Sequence, residues 1–168
     1  MLIRSFGLFW RRSEIEWNPG RGKKGEFMLL GRQGTNRPGL KLADMRQQQG
    51  IYILYGDYGP YYVGLTRKQG LGKRLKDHLT DQHADDWDRF SWFGFCIARK
   101  PSRGSPLWSF KELAELSVGK PGDAIADMEA LLIKAMGPSN TADMNFQKAT
   151  QWHQVERDEV NTLMQRAK

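Results

Sequence analysis

Cysteine is nearly absent from this sequence, because Cys96 is the only one among 168 residues. No disulfide can form within the chain, which excludes the disulfide-stabilised class of small secreted domains. We therefore predict a reduced compartment, the cytoplasm. Cys96 lies inside the apolar stretch SWFGFCIAR. We interpret it as a small buried residue rather than as a nucleophile.

Long apolar runs are also missing. No run approaches the roughly 20 residues that a membrane-spanning helix needs, so no membrane partner is predicted. The first residues, MLIRSFGLFWRRSEIEW, contain only a short apolar patch interrupted by Arg4. They lack the long apolar core and the small-residue cleavage site of a secretory signal. Hydrophobic residues make up 39% of the chain and charged residues 27%, which is typical of a globular protein.

Acidic residues are scarce in the first third of the chain. Residues 1–49 contain ten Lys/Arg and four Asp/Glu, whereas residues 50–150 contain thirteen and twelve. The net charge of +7 is therefore concentrated near the start. A basic segment beside a folded domain is typical of proteins that bind a phosphate backbone. A solvated, solubilising extension is the alternative.

Aromatic and β-branched residues predict strands in four places. IYILY at 51–55 and PYYVGLT at 60–66 are joined by the turn sequence GDYG, which predicts a hairpin. The apolar stretch at 91–98 predicts a third strand. Within residues 1–48, alternation of apolar and polar residues predicts further strands.

A four-residue leucine repeat predicts a helix after the hairpin. Leu71, Leu75 and Leu79 mark one face of this helix. Arg74 and His78 are also four residues apart, so they share another face.

Two more helices are predicted further along the chain. The stretch DAIADMEALLIKAMG starts at Asp123, a favourable N-terminal cap, and ends before Pro138. Glu129 lies in the middle of this apolar helix. Residues 152–168 are predicted to form a final amphipathic helix.

The order of these features is more distinctive than any one of them. Between Gly50 and His78 the chain reads GIYILYGDYGPYYVGLTRKQGLGKRLKDH, and a helix glutamate and an asparagine follow. In this set and order, the residues resemble the GIY-YIG nuclease family over about residues 49–145.

The resemblance implies a fold and a division of the chain. The expected fold class is α+β, with a small three-stranded antiparallel sheet flanked by helices and a basic, β-rich N-terminal extension. The extension would cover residues 1–48 and the nuclease domain residues 49–150. A C-terminal helix at 151–168 would pack on that domain.

The resemblance also implies an activity, that of a metal-dependent endonuclease acting on DNA. One Mg²⁺ or Mn²⁺ ion would be held by Glu129, since a hard cation prefers carboxylate oxygens. Tyr52 would help to remove a proton from the attacking water, and Tyr62 would orient the phosphate or the water. No oligomeric state is implied.

Basic side chains complete the expected site. Arg74 would hold a phosphate oxygen with its planar, permanently charged fork. His78 would exchange a proton near neutral pH. Lys73 and Lys76 flank Arg74 and would contact the DNA backbone. The other two histidines, His83 and His153, are interpreted as ordinary residues.

Some assignments keep alternatives. Asn140 matches the family asparagine, and Asn145 is its competitor. Tyr61 competes with Tyr62, because a slip of one residue in a strand reverses which side chain faces the site. Gly50 and Gly64 are expected to allow close backbone approach. For the whole chain, the alternative function is a catalytically inactive nucleic-acid-binding module.

Overall fold

The computed structural model describes residues 2–20, 26–36, 38–66, 69–111, 121–136, 146 and 149–168. Within these ranges, the side chains at 111, 121–126 and 129 lie outside the description. The described residues contain ten strands: β1 Ser5–Arg11, β2 Leu30–Gln33, β3 Lys41–Asp44, β4 Gly50–Gly56, β5 Gly59–Thr66, β6 Arg89–Gly94, β7 Ile97–Arg99, β8 Leu107–Lys111, β9 Thr150–Gln151 and β10 His153–Gln154. The helices are α1 Leu71–Asp77, α2 Pro121–Met136 and α3 Val160–Ala167. None of the described helices has both the length and the apolar character needed to cross a membrane.

The strands form two five-stranded mixed sheets. The first sheet has the order β5-β4-β6-β1-β9, and the second has the order β10-β2-β3-β8-β7. One pair in each sheet is parallel, β1 with β9 and β3 with β8. The other neighbours in both sheets are antiparallel.

The predicted fold class, a small three-stranded antiparallel sheet flanked by helices, is therefore wrong. Strands β5, β4 and β6 do lie side by side, but β1 and β9 continue the same sheet. The expected β-rich residues 1–48 do contain strands, and these strands belong to the two sheets. Strand β1 pairs with β6 inside the first sheet, while β2 and β3 pair with each other in the second.

Two predicted elements have different bounds in the structure. The strand expected at 91–98 is divided into β6 and β7. The helix expected at 152–168 begins only at Val160, because the preceding residues pair as the edge strands of both sheets. Its buried residue Leu163 packs against the second sheet, with Leu30 and Leu42.

The larger core lies between the two sheets and beneath α1. The first sheet contributes Tyr52, Leu54 and Trp92 to this core, and the second sheet contributes Ala43. Leucines 71 and 75 of α1 are buried in the same cluster. The predicted leucine repeat thus fixes α1 against the Tyr52 face of the first sheet.

The opposite face of the first sheet carries a second core. Ile53 and Tyr55 alternate with Tyr52 along β4, so they point away from α1. They pack in one cluster with Ala130 and Ala135 of α2. The Tyr55 hydroxyl donates a hydrogen bond of 2.9 Å to the Ala135 carbonyl. Helices α1 and α2 therefore cover opposite faces of the first sheet.

A buried glutamine connects the strands at one end of the first sheet. Gln48 is 1% exposed, and its Nε2 donates to the Ser5 hydroxyl at 3.0 Å. Its Oε1 accepts from the backbone N–H groups of Gln49 and Cys96, both at 3.0 Å. The bond to Cys96 lies between β6 and β7, where the predicted single strand is interrupted.

We expect Gln48→Met to lower the free energy of unfolding by about 2–4 kcal/mol, since buried groups that lose a partner cost about 1–3 kcal/mol each. Chemical denaturation monitored by circular dichroism measures this change. The matched control is Gln165→Met, at an exposed position of α3, which should leave stability within about 0.5 kcal/mol of the parent. Equal stability of the two variants would contradict this role of Gln48.

Candidate functional site

A buried hydrogen bond joins the hairpin to α1. The Tyr52 hydroxyl lies 2.7 Å from Nε2 of His78. Tyr52 is 0% exposed and His78 is 2% exposed. His78 caps the C-terminus of α1, and its N–H bonds the Arg74 carbonyl at 3.2 Å. The predicted one-turn spacing of these two residues is therefore present in the structure.

The other nitrogen of the His78 ring contacts a carboxylate. Its Nδ1 lies 2.7 Å from Oδ2 of Asp81. Burial opposes ionisation of Asp81, but hydrogen bonds from the His83 N–H and the His78 ring lower its pKa below the ordinary value. An ionised carboxylate only accepts, so Nδ1 carries the ring proton and donates it to Asp81. In the neutral ring, Nε2 then accepts from the Tyr52 hydroxyl.

Two tyrosines of β5 surround these histidines. The Tyr62 ring lies 5.1 Å from the His78 ring, 4.7 Å from the His83 ring and 6.1 Å from the Tyr52 ring. The Tyr61 hydroxyl is 3.0 Å from Nδ1 of His83. We call Tyr52, Tyr61, Tyr62, His78 and His83 the Tyr–His cluster.

A strand irregularity explains why both neighbouring tyrosines reach the cluster. Between Leu54 and Tyr55 the pairing with β5 shifts, so that Leu54 faces Tyr62 and Tyr55 faces Pro60. Such an extra residue redirects side chains on the bulged strand. The sequence left open whether Tyr61 or Tyr62 faces the site. In the structure both side chains do, with Tyr62 beside Tyr52 and Tyr61 beside His83.

Arg74 lies next to the phenol of Tyr52. Burial raises the pKa of Tyr52 to about 12, although the positive charge of Arg74 acts in the opposite direction. The pKa of Arg74 is itself raised, because its interactions with Tyr52 and Tyr62 outweigh the effect of burial. At neutral pH the site therefore contains a neutral phenol beside a permanent cation.

The second glycine of the motif provides space for the Tyr52 ring. A β-carbon at Gly64 would overlap the ring and hydroxyl of Tyr52, its partner across the strands. Gly50 has a φ of 152°, and a β-carbon there would overlap the Phe93 carbonyl oxygen. The expectation of close approach at both glycines agrees with these contacts.

We expect Gly64→Ala to destabilise the protein by about 1–3 kcal/mol, since a methyl group forced into a packed site displaces its neighbours. Thermal unfolding measures the effect, and near-ultraviolet circular dichroism reports the surroundings of the tyrosines. Gly39→Ala is the control, because a β-carbon there makes only an ordinary contact of 3.8 Å with the Asn36 carbonyl oxygen. A melting temperature that is unchanged in Gly64→Ala would contradict the proposed packing.

The predicted DNA-contacting lysines have partners within the protein. Lys73 Nζ lies 3.1 Å from Oδ1 of Asp77, in an exposed pair. Lys76 Nζ lies 5.4 Å from the centre of the Phe27 ring. The exposed Lys73 pair is weak and leaves this lysine able to exchange its partner, whereas Lys76 lies over a buried ring.

The basic residues near the start of the chain are also largely engaged. Of the six described Lys/Arg among residues 1–49, five form ion pairs or lie over aromatic rings: Arg11, Arg12, Arg32, Lys41 and Arg46. On the described part of this segment, less positive charge is free for a phosphate backbone than composition alone indicates.

The remaining predicted site residues lie outside the described part of the chain. Asn140 and Asn145 both fall there, and so does the side chain of Glu129. The helix that bears Glu129, α2, packs on the sheet face opposite Tyr52, through Ala130 and Ala135. This packing of α2 does not favour a cation held jointly by Glu129 and the Tyr–His cluster.

Sequence reasoning kept Tyr61 as an alternative to Tyr62, did not single out Asp81, and interpreted His83 as an ordinary residue. The last two follow α1 in a succession of turns, where the four-residue helical spacing no longer applies. Their signal in the sequence is the close spacing of His78, Asp81 and His83, which are the residue types that bind transition metals. A ligand atom from each of the three lies within 4.8 Å of the others.

Comparisons with models of protein families, with curated proteins and with solved structures find no match to this chain. The likeness to the GIY-YIG family therefore stays a prediction that rests on the motif residues.

Proposed function

We propose that this chain is a metal-dependent endonuclease that hydrolyses DNA phosphodiester bonds. The observation that supports it best is the hydrogen-bonded series from the Tyr52 hydroxyl through the His78 ring to the Asp81 carboxylate. Phosphodiester hydrolysis needs an acceptor for the proton of the attacking water. The series provides a proton path that ends at an ionised carboxylate.

The proton path works in a defined direction. As water attacks phosphorus, its proton passes to the Tyr52 oxygen while the phenol gives its own proton to Nε2 of His78. The imidazolium so formed is stabilised by Asp81. His78 then returns the proton through the Tyr52 hydroxyl, to the departing oxygen or to solvent. Tyr52 need not ionise in advance, which matters because its pKa is about 12.

Arg74 provides the positive charge in this mechanism. Its guanidinium lies beside Tyr52 and stays protonated, so it can hold a phosphate oxygen next to the attacking water. A bound divalent cation would supply further stabilisation of negative charge on the phosphate. We propose Mg²⁺ or Mn²⁺ for that role. The family resemblance implies Glu129 as its ligand, whereas α2 packs on the sheet face opposite Tyr52.

DNA is the proposed partner, and the cytoplasm is the proposed location. The net charge of +7 supports a polyanionic partner. Since most described cations near the start are engaged, we expect the affinity for DNA to depend mainly on Arg74, Lys73 and Lys76. Its fall with salt should then be only as steep as about three phosphate contacts require.

One observation favours a second candidate, a nucleic-acid-binding module without catalytic activity. Tyr52 is 0% exposed, so water reaches its hydroxyl only if the side chains around it move. In a module of this kind, the Tyr52–His78 bond would serve only to hold β4 against α1. Binding would remain, and cleavage would be absent.

We expect Tyr52→Phe to reduce cleavage of supercoiled plasmid by about 10²–10⁴-fold, the usual contribution of acid–base catalysis. The matched control is Tyr55→Phe, because this tyrosine is also buried in β4 and its hydroxyl also makes a hydrogen bond. Tyr55 faces α2 instead of α1, so its variant should keep cleavage within a few-fold of the parent. Gel assays with Mg²⁺ and with Mn²⁺ measure both rates.

Further arms of the same assay separate the two candidates. We expect EDTA to abolish cleavage. Loss of cleavage in Glu129→Ala would assign the metal to that residue, and full cleavage would exclude it as the ligand. Full cleavage by both tyrosine variants would contradict the proton path. DNA binding by the parent with no cleavage under either metal would replace the endonuclease with the binding module.

A further inference from the structure

We propose that His78, Asp81 and His83 form a binding site for a first-row transition metal ion, with Zn²⁺ as the best match. We call these residues the His–Asp–His group. The proposal goes beyond the endonuclease mechanism and does not depend on it. It rests on the positions of three ligand types at the end of α1, on the same sheet face as Tyr52.

The three residues converge from one short segment. Their ligand atoms lie within 4.8 Å of one another. His78 is fixed in the core, with its carbonyl accepting from the Trp87 indole N–H at 3.1 Å. The Asp81 and His83 side chains lie towards the surface, since the Asp81 side chain is 37% exposed. One anchored ligand and two accessible ones give an ion a route of entry.

Further hydrogen bonds orient the ligands of the group. Nε2 of His78 is occupied by Tyr52, which leaves Nδ1 facing Asp81. Oδ1 of Asp81 accepts from the His83 N–H at 2.8 Å, which leaves Oδ2 directed at His78. His83 has one ring nitrogen near the Tyr61 hydroxyl. Metal-binding histidines regularly use the second ring nitrogen in such an outer bond.

The donor set decides the class of metal. Two imidazoles and one carboxylate suit Zn²⁺, Co²⁺ or Ni²⁺, whereas Mg²⁺ prefers oxygen ligands alone. Three protein ligands also leave room for water or another molecule in a four-coordinate site. The predicted Mg²⁺ ligand Glu129 belongs to a different helix, so the two proposals concern separate positions in the chain.

Binding requires a small adjustment of the ligands. Around a tetrahedral ion with bonds of about 2.0–2.1 Å, ligand atoms lie about 3.3 Å apart. The present separation of 2.7 Å between His78 Nδ1 and Asp81 Oδ2 must therefore increase slightly. The separations that involve His83, which are at most 4.8 Å, must adjust to the same value. The exposed Asp81 and the partly exposed His83 can make these movements without disturbing the core.

A metal ion bound to His78 would reverse the direction of the hydrogen bond between His78 and Tyr52. A metal on Nδ1 of His78 takes the place of the ring proton, so the remaining proton sits on Nε2. That N–H then donates to the Tyr52 oxygen, whereas in the metal-free protein the Tyr52 hydroxyl donates to Nε2. The metal-bound state and the proton path through His78 therefore exclude each other.

The test uses the untagged full chain, freed of metal, without DNA. We expect titration with CoCl₂ to give one bound Co²⁺ with visible absorption bands, which a stoichiometric amount of ZnCl₂ abolishes and excess MgCl₂ does not. Asp81→Asn and His83→Gln should each weaken Co²⁺ binding by more than about 100-fold, beyond the range of outer-sphere changes. His153→Gln should bind like the parent, because this exposed histidine lies in β10.

Circular dichroism verifies that each variant is folded before its Co²⁺ affinity is compared with that of the parent. Two ligand variants are used so that the test still works when one of them does not fold. Absence of one-site Co²⁺ binding by the folded parent would overturn the proposal. So would unchanged affinity in both ligand variants, or loss of binding in His153→Gln. Because no DNA is present, none of these results bears on whether the chain cleaves DNA.

Discussion

Strand β4 has two buried faces. Its side chains alternate between them, and this alternation determines which residues pack beneath α1 and which pack beneath α2. Tyr52 and Leu54 point into the core beneath α1, while Ile53 and Tyr55 point to the core beneath α2. A shift by one residue would exchange the two sets. It would remove Tyr52 from His78 and bury it against the wrong helix. The position of the whole candidate site therefore depends on the register of this one strand.

The local elements of the fold could be predicted from the sequence, and their assembly could not. The hairpin of β4 and β5 and the helix α1 follow from turn residues, β-branched residues and the leucine repeat. The partners of β1 could not be found this way, because it pairs with residues 89–94 and 150–151. Such pairing depends on contacts between distant parts of the chain, and an alternating pattern indicates a strand without naming its neighbour.

The same distinction applies to the site. The shared face of Arg74 and His78 was predictable, since helical spacing is a local rule. The proximity of Tyr52 to them was expected only from the family resemblance. Asp81 and His83 were missed because the helix ends at Asp77, and the turns that follow have no fixed period. The contact of both β5 tyrosines with the histidines depends on a bulge. A bulge changes the register without an evident mark in the sequence.

Residues 150–154 have a consequence for how the molecule is assembled. Strand β9 lies at the edge of the first sheet, and β10 lies at the edge of the second. Between them Trp152 is 2% exposed and sits in the core between the sheets. Both sheets thus obtain an edge strand from one short segment that is synthesised after all their other strands. A nascent chain lacking it would present two uncovered rows of backbone groups at once, which are templates for self-association. Residues 150–154 would therefore be the last to pair. Until they do, a chaperone that covers the open sheet edges would benefit the nascent chain.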